Sequence, residues 1–71
     1  MKVYFRNSNG KKILIGTVDN DKQAMKTIKS FCDEREFKIY YTRMWVDKDI
    51  PYRTWVDVGS HTEFFIIDKT N

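Results

Sequence analysis

Ser60, His61 and Glu63 crowd one short stretch of the chain, and Asp57 lies just upstream. Serine, histidine and a carboxylate are the residue types of acyl-transfer catalysis. A working triad draws its members from separate elements, around an oxyanion hole and a substrate cleft. Here all of them fall beside Gly59-Ser60, which reads as a turn, where Ser and Asp side chains satisfy backbone groups. The expectation is therefore a non-enzyme with no catalytic residue. The chain has one histidine and one cysteine, too few for a zinc site of the usual kind. Asp57, His61 and Glu63 are no better as a metal set, so neither a metal nor a cofactor is expected. A chain this short hardly encloses a ligand pocket, which argues against a small-molecule substrate. Cys32 recurs on an apolar helical stripe and reads as a small buried hydrophobe. A reactive thiol needs exposure and nearby positive charge.

Two other groups of residues have the chemistry of recognition. Tyr40, Tyr41, Arg43, Trp45, Tyr52, Arg53 and Trp55 interleave aromatic rings with guanidinium groups. That mixture stacks bases and pairs phosphates on a sheet surface. It also dominates protein interfaces, where Trp, Tyr and Arg carry most of the binding energy. Arg43, Trp45, Arg53 and Trp55 are all at odd positions, so they share a face if the strand pairing has an even register. Tyr41, Arg43, Trp45, Arg53 and Trp55 are the candidate partner-binding residues. Lys2, Arg6, Lys11 and Lys12 precede the first acid of the chain, Asp19, and form a candidate polyanion site. Lysines at a sheet edge also guard it against aggregation, which is the plainer reading of the second group.

The elements that must position these residues read as ββαβββ. Residues 2–8 and 11–18 are two strands joined at Asn9-Gly10, a strong hairpin signal for a type I′ turn. A two-residue loop there sets Phe5 opposite Leu14 and Tyr4 opposite Ile15. One face then holds Val3, Phe5, Leu14 and Val18; the other holds Lys2, Tyr4, Arg6, Ile13 and Ile15. Asn20 with Gln23 makes a capping-box start, and Ala24, Met25, Ile28, Phe31 and Cys32 keep helical spacing. The helix is expected over 21–35, with Lys22, Lys26 and Lys29 on its wet side. Residues 38–46, 52–58 and 62–67 read as strands, separated by a turn at Pro51 and another at Gly59-Ser60. A short polar tail follows. A one-residue slip in these last strands would exchange their faces. The fold class is α+β, with one helix on one face of a mainly antiparallel sheet, and the whole of 1–71 forms a single domain.

The chain has 71 residues, a formal net charge of +3 and 15% aromatic content. Residues 1–35 carry eight basic and four acidic side chains, whereas 36–71 carry five and six. A chain of this size has a thin stability margin. With a lone cysteine no intrachain disulfide can add to it, so aromatic packing is expected to. No apolar run approaches a membrane span, and no membrane partner is expected. The N-terminal stretch lacks the apolar core of a signal peptide, and a lone cysteine fits a reducing cytoplasm.

The strand, Gly-Lys turn, strand and helix over 1–35 resemble the opening of ubiquitin-like β-grasp domains in pattern only. Tyr40-Tyr41-Thr42-Arg43-Met44-Trp45, and above all Gly59-Ser60-His61-Thr62-Glu63-Phe64-Phe65, look like small uncharacterised phage- and prophage-encoded proteins of Firmicutes. That resemblance implies a genomic setting and no mechanism. The functional expectation is a small binding or accessory protein that meets a protein partner, or its own copy, through the sheet face the helix leaves uncovered. The alternative is a nucleic-acid-binding module using the basic hairpin and the aromatic–arginine surface.

Overall fold

Asn7, not Asn9, opens the first turn. In the computed structural model, which describes residues 1–69, the Asn7 N–H donates to Lys11 O and the Gly10 N–H to Asn7 O, each at 2.9 Å. The Asn7 side-chain oxygen accepts from the amides of Asn9 and Lys11, at 2.9 and 3.0 Å. Within this turn only Gly10 has a positive φ, +83°. This is the three-residue loop with a left-handed glycine, not the expected type I′ turn. The extra loop residue shifts the hairpin by one. β1 (Lys2–Arg6) therefore pairs with β2 (Lys12–Thr17) so that Phe5 faces Ile13 and Tyr4 faces Leu14.

The expected face assignment is corrected by this slip. Ile13 shares the side of Phe5, and Leu14 moves to the side of Tyr4. A bulge between Val3 and Tyr4 on the pairing ladder then sets Val3 opposite Gly16. Ile15 packs toward the core, and a Cβ at Gly16 would lie 2.9 Å from the Thr27 methyl. At Gly16 the helix thus lies too close to the sheet to admit a side chain without a shift.

α1 (Asp21–Glu34) starts at Asn20, whose side chain accepts from Gln23 N at 2.9 Å. Gln23 reaches back to the amide of Asp19 at 2.8 Å, one residue before the cap. Ala24, Ile28 and Cys32 are buried, while Lys22, Lys26 and Lys29 are exposed. α1 packs mainly on β1 and β2. Beneath it the rings of Phe5, Phe31, Phe37 and Phe65 form one cluster, with centroids 4.8–6.2 Å apart in the contacting pairs.

β3 (Arg43–Val46), β4 (Arg53–Asp57) and β5 (Phe64–Asp68) form an antiparallel meander. β5 returns beside β1, also antiparallel, and the sheet order is β2-β1-β5-β4-β3. The likeness to a β-grasp opening goes no further than the helix. The expected third strand, 38–46, is cut to its last four residues. Residues 37–42 run as a loop instead, with Phe37 and Ile39 turned to the core and the Tyr40 amide donating to Val58 O at 2.9 Å. The core joins Val3 and Phe5 of β1, Ala24, Ile28 and Cys32 of α1, and Val56, Val58, Phe65 and Ile67 from the meander. The last two residues of the polar tail lie outside the described residues.

Candidate binding face

Successive side chains on a strand point to opposite faces, and residues directly opposite across an antiparallel ladder share one face. Val3, Phe5, Phe65, Ile67 and Val56 meet the helix. Their neighbours in sequence therefore populate the helix-free side. The registers Lys2↔Asp68, Tyr4↔Ile66 and Arg6↔Phe64 place three pairs of them in line across β1 and β5. Arg53↔Asp68 and Trp55↔Ile66 continue the rows into β4. Arg43↔Asp57 and Trp45↔Trp55 carry them to β3. Lys12 and Leu14 extend them at the other edge.

Arg43, Trp45, Arg53 and Trp55 thus stand on one face, because the β3–β4 register is even. Lys2, Arg6 and Lys12 fall on that same face, so two groups read separately from the sequence form one surface. Lys11 sits in the turn just before β2. Tyr41 lies in the loop ahead of β3, with its hydroxyl 3.5 Å from Asp57 Oδ2.

The rings and cations interleave. Lys12 Nζ lies 4.4 Å from the Tyr4 ring centroid, the Arg6 guanidinium 5.8 Å from that of Trp55, and the Arg43 guanidinium 5.3 Å from that of Trp45. Each distance is within cation–π range. Phe64 meets both tryptophans edge-on, 6.3 Å from Trp45 and 5.9 Å from Trp55. Under this layer Ile66 is 1% exposed although no helix covers it. The aromatic layer itself is the second half of the core.

Charge on the face is uneven. Arg53 grips Asp68 with two hydrogen bonds of 2.8 and 3.0 Å, and both side chains are largely buried. Those bonds to Asp68 are the first cause of a raised pKa at Arg53. Asp57 is buried and accepts from Arg43 at 3.0 Å and from the Gly59 amide at 2.9 Å. The Arg43 side chain stays 67% exposed. Asp57 and Asp68 are therefore engaged by arginines of the same face, while Lys2, Arg6 and Lys12 are left to give it a positive field.

Trp55 also anchors the turn after β3. Its indole N–H donates to Asp47 Oδ2 at 2.6 Å, and Asp47 Oδ1 accepts from the amides of Asp49 and Ile50. These bonds, the indole first, hold the Asp47 carboxyl below its ordinary pKa.

The Gly59–Glu63 stretch, numbers 59–63, uses its polar groups locally. Ser60 Oγ donates to Glu63 Oε1 at 2.9 Å and accepts from the Glu63 amide at 3.3 Å. Asp57 turns to Gly59, Arg43 and Tyr41, and His61 is exposed. Gly59 has φ +99°, and a Cβ there would sit 2.7 Å from that of Tyr40. No group of three or more His, Cys, Asp and Glu side chains arranged to hold a metal ion is found among the described residues. Cys32 is buried on the inner side of α1, and its thiol pKa is pushed up, first by desolvation and then by Asp33. No described helix is long and apolar enough to cross a membrane.

Sequence reasoning set Tyr4 beside Lys2 and Arg6 but missed Phe64, Ile66 and Asp68 as members of the face. The signal for Phe64 and Ile66 was present: 64 and 66 alternate with Phe65 and Ile67, so an all-apolar strand must bury both sides. Asp68 was hidden because it read as the start of the tail. No family model, curated protein or solved structure matches this chain.

Proposed function

We propose that this chain is a non-catalytic binding protein, of the phage- or prophage-encoded kind its 59–65 stretch resembles. It grips an acidic surface of a protein partner through the helix-free face. One observation carries the reading: Arg43, Trp45, Arg53, Trp55, Lys2, Arg6 and Lys12 share a face on which the acids Asp57 and Asp68 are engaged by arginines. Trp45, half-exposed beside Arg43, offers the aromatic anchor that interfaces favour. Lys2, Arg6 and Lys12 supply the field that selects an acidic surface and speeds encounter. The lone buried thiol suits a reducing cytoplasm as the place of action.

The test is affinity capture from host lysate with three forms of the chain. Wild type and Lys26→Glu, altered on the helix's wet side, should retain the same partner. Arg6→Glu combined with Trp45→Ala should lose it. Equal capture by all three forms would defeat the proposal.

A second reading, single-stranded nucleic acid, is favoured by the alternation of Lys12, Tyr4, Arg6, Trp55, Trp45 and Arg43 across the sheet. It requires oligonucleotide binding that falls with salt at a log–log slope of roughly −0.7 per phosphate neutralised. Lys11→Glu with Lys12→Glu should then abolish binding. Absence of binding at low salt removes this reading and leaves the first untouched.

A further inference from the structure

The two edges of the sheet are built differently. β2 carries Lys12 at its start and a bulge opposite Val3, both of which discourage strand addition. β3 has neither lysine nor proline within Arg43–Val46, its pairing is regular, and all four residues are exposed. The hydrogen-bond phase of β3 follows from the Asp47 amide, which donates to Arg53 O at 2.8 Å. Bonded pairs alternate along an antiparallel ladder, so odd positions of β3 address β4. The N–H and C=O groups of Met44 and Val46 therefore point to the open edge.

The sequence around Trp45 is complementary to itself in antiparallel sense. Met44 and Val46 flank it at one residue's distance, and Arg43 and Asp47, of opposite charge, flank it at two. We propose that β3 pairs antiparallel with β3 of a second copy about a twofold axis at Trp45, making a continuous ten-stranded sheet. In this register Met44 and Val46 of opposite copies form the hydrogen-bonded pairs, which is the phase their outward groups require. Trp45 meets Trp45 as the closer, non-hydrogen-bonded pair. Arg43 of each copy faces Asp47 of the other on the helix-free side. A twofold axis perpendicular to the sheet keeps that side common to both copies, so the binding face is doubled. The outward groups and the apolar Met44 and Val46 supply attraction, and the paired charges set the register.

Sedimentation equilibrium up to millimolar concentration tests it, with three variants. Wild type should show a monomer–dimer equilibrium. Val46→Pro removes an outward N–H that β4 does not use, and should weaken dimerisation roughly thirtyfold by deleting two hydrogen bonds per dimer. Val46→Lys changes a side chain that is 61% exposed, so it leaves the fold intact and should also yield monomer. Trp45→Cys should cross-link to its counterpart under mild oxidation, because a non-hydrogen-bonded pair has disulfide spacing. Met44→Cys, displaced from its counterpart by two residues, should not. Buried Cys32 stays out of the exchange. A wild type that stays monomeric, a Val46→Lys form that remains dimeric, or cross-linking at Met44→Cys as fast as at Trp45→Cys would each overturn the proposal. So would a monomer that instead takes up an extended peptide of another protein at β3. Val46 lies off the helix-free face, so failure here is separable from failure of the partner-capture test.

Discussion

Replacing Asp68 with asparagine should be among the most damaging single-atom-scale changes on the helix-free face. Arg53 Nε lies 2.8 Å from Asp68 Oδ1, and the two side chains are only 15% and 11% exposed. Asparagine keeps the volume, removes the charge and leaves the guanidinium without its counter-ion. Breaking a fully buried pair by removing one partner costs about 3–5 kcal/mol. Some water reaches both groups here, so about 2–3 kcal/mol is the working figure. At about 0.05–0.15 kcal/mol per residue, a domain of this length has roughly 4–10 kcal/mol in all. The variant therefore loses a large share of its stability. Urea unfolding followed by tryptophan fluorescence reads this directly. With a slope near ~1 kcal/mol/M the midpoint should fall by about 2–3 M without a change of slope. Lys69→Met is the control. Its pair with Asp21, 3.3 Å long with both groups well exposed, should be worth less than about 0.5 kcal/mol. Arg53→Met with Asp68→Leu should recover most of the loss, since the destabilisation comes from a stranded charge. A midpoint shift for Asp68→Asn no larger than that of Lys69→Met would refute the reasoning. Strict additivity in the double variant would do so too.

Gly59→Ala should cost about 1–3 kcal/mol, from a φ of +99° and the 2.7 Å approach to Tyr40, whereas Gly10→Ala, with a φ of +83° and only the Arg6 guanidinium in ordinary contact at 3.5 Å, should cost only about 1 kcal/mol; thermal melts would compare them. The lowered pKa of Asp47 stabilises the fold fully above the unfolded carboxyl value, and that contribution fades as pH falls through the folded value. The stability gap between wild type and Asp47→Asn should therefore shrink below about pH 4, as urea midpoints at several pH values would show. Cys32 should react with a thiol reagent at least roughly a thousandfold more slowly in the native protein than in denaturant, and labelling at the denatured rate would contradict its burial.

What was legible in the sequence rests on local chemistry. The helix is set by Asn20, Gln23 and a 3.6-residue apolar spacing, and its observed end at Glu34 differs from the expected one by a residue. The alternation of Arg43, Trp45, Arg53 and Trp55 made a shared face conditional on an even register, a condition the β3–β4 pairing meets. The first turn shows where such reading stops. Asn9-Gly10 promised a two-residue loop, yet the Asn7 side chain, by accepting two amides, moves the start of the turn and slips the pairs of Tyr4, Phe5 and Arg6 by one, until the bulge before Val3 restores the expected register. The strand expected over 38–46 had the right residue types, but Phe37 and Ile39 are drawn into the core and Gly59 packs against Tyr40, which leaves only Arg43–Val46 on the ladder.

The sequence alone determined the absence of a disulfide framework, the helix, the number of strands and the chemical character of two clusters. Only the tertiary structure decided that the clusters are one surface. β5 returns between β1 and β4, which sets Lys2 beside Asp68 and Arg6 beside Phe64, 66 and 58 positions apart in the chain. Residue types and spacing report what a segment does with its own neighbours. Strand order is settled by which apolar sides can be buried together, and that is a property of the whole chain.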